Sequence, residues 1–158
     1  GPFVTEIHDK KLLKQLHGDM KKIDAEKGTT TGRVRRLGYF DLPQIRRAQM
    51  VNGEANNQVM ALSKLDWVQR FGDKIPICVA YQRKGKILKI APDAAYKLDQ
   101  SEPIYEYLPN WTEDITHVRN FDKLPINAQN YINYIEYQTG IPITMIGVGP
   151  QRDQVIIR

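Results

Sequence analysis

Apolar positions recur at two different spacings along this chain, and each spacing predicts a different element. Leu12, Leu16, Met20 and Ile23 recur at near-helical spacing through the lysine-rich segment 10–27, which predicts a surface helix leading towards Gly28. Ile45, Ala48, Gln49 and Val51 share one side of a second helix, with Asp41 as its expected N-cap and Pro43 in its first turn. Asn52-Gly53 should end it, since both residues tolerate positive φ. The third helix has the strongest pattern. Leu124, Ala128, Tyr131, Ile132 and Ile135 share a face, Pro125 sits at the start and Gly140 lies just past the end. Short apolar runs at 59–62, 75–81, 87–90 and 141–146 predict strands, with Arg83-Lys84-Gly85-Lys86 as a hairpin turn. Residues 92–120 hold many turn formers together with Tyr96, Tyr105, Tyr107 and Trp111, and read as loop and short strand covering the core. Strands alternating with helices place the chain in the α/β class with a largely parallel sheet.

Composition narrows the classes. A chain of 158 residues with 41% hydrophobic and 26% charged residues fits one globular domain able to bury a real core. The apolar runs are far too short for a membrane-spanning helix. A net charge of +5 suits an anionic partner, but the cations are spread along the chain, so nucleic acid is not favoured over a nucleotide or a phosphate. The single Cys78 excludes an internal disulfide framework and fits a reducing, cytoplasmic setting. The opening Gly1-Pro2-Phe3 has neither Met nor a charged-then-apolar leader, which reads as a piece of a longer protein.

The densest chemistry lies in Gly28-Thr29-Thr30-Thr31-Gly32-Arg33-Val34-Arg35-Arg36. Two glycines bracket three hydroxyls, and guanidinium forks follow at once, which is an anion-binding combination. In an extended run, Arg33 and Arg35 share a face opposite Val34, and both forks could converge on one carboxylate or phosphate. The same residues also make an ordinary solvated basic turn, and composition does not separate the two readings. Arg46 and Arg47 of the following helix should add to the positive field near this loop.

Ser63-Lys64-Leu65-Asp66 follows a predicted strand, at the edge of an open α/β sheet where ligands bind. A carboxylate there could accept from the N1–H and N2 amine of guanine, with the lysine stem against the ring; an exposed strand-end turn is the plainer alternative. Gly147-Val148-Gly149-Pro150 also follows a strand, and could bring backbone close to a base or form only a tight turn. No G-x-x-x-x-G-K-S/T loop occurs, His8, His17 and His117 lie in no metal-ligand spacing, and Cys78 within an apolar strand reads as inert core. The residues alone support an anion- or nucleotide-binding α/β domain.

Taken in order, Gly1-Pro2-Phe3-Val4-Thr5-Glu6, the Gly28–Arg36 loop, Ser63–Asp66, Ile77–Tyr81, Pro103-Ile104-Tyr105-Glu106 and Gly149-Pro150-Gln151-Arg152 resemble the C-terminal portion of the adenylosuccinate synthetase family across essentially the whole chain. Val4, Val34 and Ser63 stand where that family usually has Pro, Arg and Thr, and Trp67 is bulky for its place. The resemblance implies a P-loop-type nucleotide-binding α/β fold with a mainly parallel central sheet. Residues 1–158 would be the C-terminal portion of its single domain, without the phosphate-loop half. It implies a purine ligase that joins IMP to L-aspartate at the expense of GTP, through a 6-phosphoryl-IMP intermediate, working as a homodimer with Mg²⁺.

Carried over by motif, Thr29, Thr30, Thr31, Gly32, Arg33, Val34 and Arg35 would hold aspartate and IMP, with Arg35 also towards GTP. Lys64, Leu65 and Asp66, with Gly147, Val148 and Gly149, would hold the guanine. Catalytic groups and Mg²⁺ ligands would lie in the N-terminal part, so these residues alone should not catalyse, and part of their sheet would pair with strands from that part. Phage relatives that join aspartate to dGMP, with ATP or GTP as donor, are the alternative within the enzyme class. A noncatalytic nucleotide- or RNA-binding module using the basic loop is the alternative outside it, although no RNA-binding motif is recognisable.

Overall fold

The structure, a computed structural model, describes residues 1–18, 26–28, 30–53 and 57–158. Helix α1 (Lys10–His17) is capped by Asp9, whose carboxylate accepts from the backbone N–H groups of Lys11 and Leu12. It ends at Gly18, where φ is 68°. The helix is therefore shorter than the apolar spacing suggested, and the expected continuation through Met20 and Ile23 lies outside the described residues. Strand β1 (Phe40–Asp41) leads straight into α2 (Leu42–Val51), where Asp41 Oδ1 accepts from Gln44 N–H at 3.1 Å and Pro43 occupies the first turn. A short β2 (Met60–Leu62) passes through Ser63-Lys64 into the single-turn α3 (Leu65–Val68).

The long strand β3 (Lys74–Arg83) turns at Lys84 and Gly85 into β4 (Lys86–Leu88). Both turn residues have positive φ, 48° and 74°, the geometry that suits a two-residue hairpin between right-twisted strands. After α4 (Ala95–Asp99), β5 (Glu102–Pro109) pairs antiparallel along nearly all of β3. The expectation of loop and short strand over 92–120 is corrected here. Pro103 and Pro109 read as turn formers, yet among the described residues β5 pairs with β3 alone, and an edge strand accepts prolines because one side of its ladder is unused. Helix α5 (Ile126–Thr139) starts at Pro125 and closes on Gly140 in the left-handed region, then β6 (Ile143–Gly147) and β7 (Val155–Ile157) complete the chain.

The fold is α/β, as the alternation of elements implied. β1 pairs with β3 and β2 with β6 in parallel, while β4 and β5 on β3, and β7 on β6, pair antiparallel, so the described sheets are mixed rather than largely parallel. These pairings make two sheets, with a large apolar cluster spanning them and a smaller one around Cys78, Tyr81 and Ala91. Ala128, Tyr131, Ile132 and Ile135 of α5 meet Ile75 and Ile77 of β3 and Ile143 and Ile146 of β6 in that core. Arg46 corrects a further expectation. Its guanidinium points inward to the carbonyls of Val79, Lys89 and Gln138 rather than adding to a positive surface.

The opening segment fastens the start of the second helix. Ile7 N–H donates to Leu37 carbonyl at 2.9 Å and Tyr39 N–H to Thr5 carbonyl at 3.1 Å. Arg36 forks onto both oxygens of Glu6 and lies over the Phe3 ring. That pairing holds the Glu6 carboxyl below its ordinary range.

Candidate functional site

Two of the sequence motifs meet because β2 and β6 are parallel neighbours. Ser63–Asp66 leaves the C-terminal end of β2 and Gly147–Gly149 leaves the C-terminal end of β6, the edge of a parallel pair where loops can face a ligand. The two turns touch. A Cβ placed on Gly147 would lie 3.4 Å from Ser63 Cα and 3.6 Å from Lys64 N, ordinary van der Waals distances, so the two turns are in packing contact. Lys64 takes φ 63°, ψ 36°, uncommon for a side-chain-bearing residue, and so starts α3 sharply with Asp66 in its first turn. Gly149 is pressed by the amide of Gln154, which accepts from Gln151 N–H at 2.8 Å and donates to Thr116 carbonyl at 3.2 Å. Val148 is fully buried beneath this turn.

Trp67, bulky for its place, has a specific use. Arg70 stacks its guanidinium 3.9 Å from the ring centroid and the Lys64 ammonium lies at 4.9 Å. The indole thus steadies the cation next to Asp66.

The threonine–arginine segment is a hairpin loop. Lys27 bridges Val34, Gly28 N–H donates to Arg33 carbonyl at 2.7 Å, and Gly32 N–H, at φ 65°, closes back onto Gly28 carbonyl at 2.8 Å. Thr30, Thr31 and Arg33 are exposed, and the Arg33 guanidinium has no protein partner among the described residues. Thr29 lies outside them. Arg35, expected to share a ligand with Arg33, has its Nη1 3.7 Å from Glu26 Oε2. His17 Nε2 reaches the Arg35 carbonyl oxygen at 2.9 Å, fastening the loop stem to α1.

Glu26 was not singled out by the sequence. Its other oxygen, Oε1, pairs with the Lys64 ammonium, so one carboxylate joins the hairpin to the β2 turn. The signal that could have found it is the hairpin register: pairing Lys27 with Val34 sets Glu26 opposite Arg35.

A cleft of about 370 Å³ opens beside these turns, lined by Leu37, Phe40, Met60, Leu62, Leu65 and Trp67 among others. Its walls are mostly apolar and join the regions around β1 and β2, and Ser63 and Lys64 of the β2 turn also line it. Among the described residues no three of His, Cys, Asp and Glu gather as a metal site. Nor is any described helix long and apolar enough to cross a membrane.

A family model of adenylosuccinate synthetase matches residues 1–156 of this chain. The chain belongs to the adenylosuccinate synthetase family. The adenylosuccinate synthetase of Geobacillus sp. (strain WCH70) is 41% identical over 154 residues, covering 98% of this chain and 34% of that protein. That of Streptomyces griseus subsp. griseus is 43% identical over 157 residues, covering 99% of this chain and 34% of the relative. Among solved structures, the fully ligated adenylosuccinate synthetase from Plasmodium falciparum superposes with a TM-score of 0.85 at 34% identity, over 100% of this chain and 36% of that one. The chain thus spans about a third of the length of the relatives it matches, 34% for the two bacterial proteins named.

Proposed function

We propose that residues 1–158 form the C-terminal portion of an adenylosuccinate synthetase domain and carry its aspartate-binding loop and guanine-reading edge. The reaction is the GTP-dependent joining of IMP to L-aspartate. The γ-phosphoryl group of GTP moves to O6 of IMP, leaving GDP. The aspartate amine then forms a bond to C6, and the O6 oxygen departs with the phosphate. Mg²⁺ supplies charge neutralisation on the phosphates when bound, and none of its ligands is assigned to this chain.

The observation that carries the reading is the contact between the Ser63–Lys64 turn and Gly147 at the ends of two parallel strands. It gives a ledge where Asp66 can accept from guanine N1–H and the N2 amine while the Lys64 stem flanks the ring. Adenine lacks that donor pair, so the carboxylate selects the base. Leu65 is fully buried and fixes the turn from beneath, as Val148 does for Gly147 and Gly149. The exposed Thr30 and Thr31 hydroxyls and the Arg33 fork suit the carboxylates of aspartate, and Arg33 also reaches towards the IMP ribose. Thr29 and Gly32 complete that loop and Val34 anchors its stem, while Arg35 belongs on the GTP side. The whole enzyme works as a homodimer in the cytoplasm.

The test is an assay of the full-length polypeptide carrying this sequence, with aspartate and Mg²⁺, crossing IMP and dGMP as acceptors with GTP and ATP as donors. Turnover of IMP with GTP is expected. Preference for dGMP, or for ATP, would replace the acceptor or donor named here, and absence of ligation under every pairing would overturn the reading.

A further inference from the structure

Glu26 is 5% exposed, whereas the side chains it pairs with, Arg35 and Lys64, are each about half exposed, at 56% and 50%. The carboxylate is therefore the inner member of the cluster, and two cations reach in to it from the rim. A buried carboxylate costs several kcal/mol unless it is paired, so this arrangement holds only with the cations in place. The cations come from different places: Arg35 from the threonine–arginine hairpin, Lys64 from the turn between β2 and α3. Hairpin backbone bonds run within its own stem and to α1, at Glu26 N–H to His17 carbonyl, with Arg35 N–H donating to Glu26 carbonyl. Glu26 ties that hairpin to the β2 turn.

Lys64 adds a second reason. Its left-handed backbone is a strained conformation for lysine, and such a residue persists where its surroundings hold it. The Glu26 carboxylate, the Trp67 ring and the close approach of Gly147 hold it from three directions.

We propose that Glu26 is a positioning residue, whose buried carboxylate pairs with Arg35 and Lys64 at once and so fixes the aspartate-binding hairpin against the base-reading turn. Binding at either element then depends on the order of the other. This inference rests on the function proposed above.

Glu26→Gln in the full-length synthetase carrying this sequence keeps the side-chain volume and removes the charge. The KM values for GTP and for L-aspartate should both rise about tenfold, with kcat at saturating substrates falling by less. Glu26→Asp should restore part of both. If both KM values stay put, or only one moves, the proposal is overturned. A loss of fold in Glu26→Gln would leave a second measurement that does not touch Glu26. Lys64→Met should raise the aspartate KM by about fivefold at saturating GTP, although Lys64 belongs to the base-reading turn. An unchanged aspartate KM in Lys64→Met overturns the proposal as well. Failure of the underlying reading looks different, since Asp66→Asn would then leave GTP use intact.

Discussion

At the residue scale, local signals carried a long way. Asp41 as a cap, Pro125 and Gly140 as the two ends of a helix, and Gly85 in a hairpin all follow from preferences set within a few positions. Gly38 shows what such reading leaves out. A Cβ there would run into the Phe3 ring and stand 3.0 Å from the Thr5 carbonyl oxygen. Nothing around Gly38 in the sequence signals this, because Phe3 and Thr5 reach it only through the pairing of 5–7 with 37–39. Gly38→Ala should lower stability by about 1–3 kcal/mol, read as a shift of the chemical unfolding midpoint. Adding Phe3→Ala should restore part of the loss, since the ring can be removed but the Thr5 carbonyl cannot. An unshifted midpoint in Gly38→Ala would contradict the close packing of these two segments.

At the element scale, what the sequence missed depended on partners distant along the chain. Strand β5 carries two prolines and many aromatics, and only its long ladder with β3 makes it a strand. Arg46 looked like surface charge, but its donors end on three carbonyls that tertiary packing brings together. Both errors came from judging residues by composition when their hydrogen-bond partners were set by topology.

The join between β1 and α2 carries a pH dependence. Burial pushes the Asp41 carboxyl above its ordinary 3.8, against the lowering effect of the Tyr81 hydroxyl and Gln44 N–H. Tyr81 O–H donates to Asp41 Oδ2 at 2.6 Å, and burial raises the tyrosine's own pKa too. A carboxyl whose native pKa is raised binds its proton more tightly when folded. Its contribution to stability is complete below 3.8 and is lost as pH rises through the raised value. Asp41→Asn removes that titration. Measured by urea unfolding at a series of pH values from 3.8 upward, the stability gap should therefore move in the variant's favour as pH rises. A gap that stays constant or moves the other way would contradict the burial of a proton-hungry carboxyl.

At the scale of the whole molecule, three motifs that read as separate strings become one arrangement. Parallel pairing of β2 with β6 joins the Ser63–Asp66 turn to the glycine turn, and Glu26 joins Lys64 of the first to the threonine–arginine hairpin. The first junction was implied by the family resemblance, which put both motifs at one base pocket; the residues alone place each after a strand, where ligands gather. The second was not, because a lone glutamate in a lysine-rich stretch gains meaning only from hairpin register and from Lys64. β1 and β2 each have one strand partner among the described residues, and an apolar cleft of about 370 Å³ lies by them. Open edges and apolar walls of this kind suit further strands, in keeping with a chain that spans 34% of the bacterial relatives.

Asp66 reading guanine is the claim on which the rest depends. Asparagine in its place keeps one acceptor but turns a donor towards the guanine N2 amine, whereas xanthine offers an acceptor at that position. The measurement is kcat/KM for GTP and for xanthosine triphosphate, in the full-length synthetase carrying this sequence and in its Asp66→Asn variant. The account predicts a loss of about 1–3 kcal/mol in GTP use, with xanthosine triphosphate gaining relative to it. An unchanged preference for GTP in Asp66→Asn would contradict it.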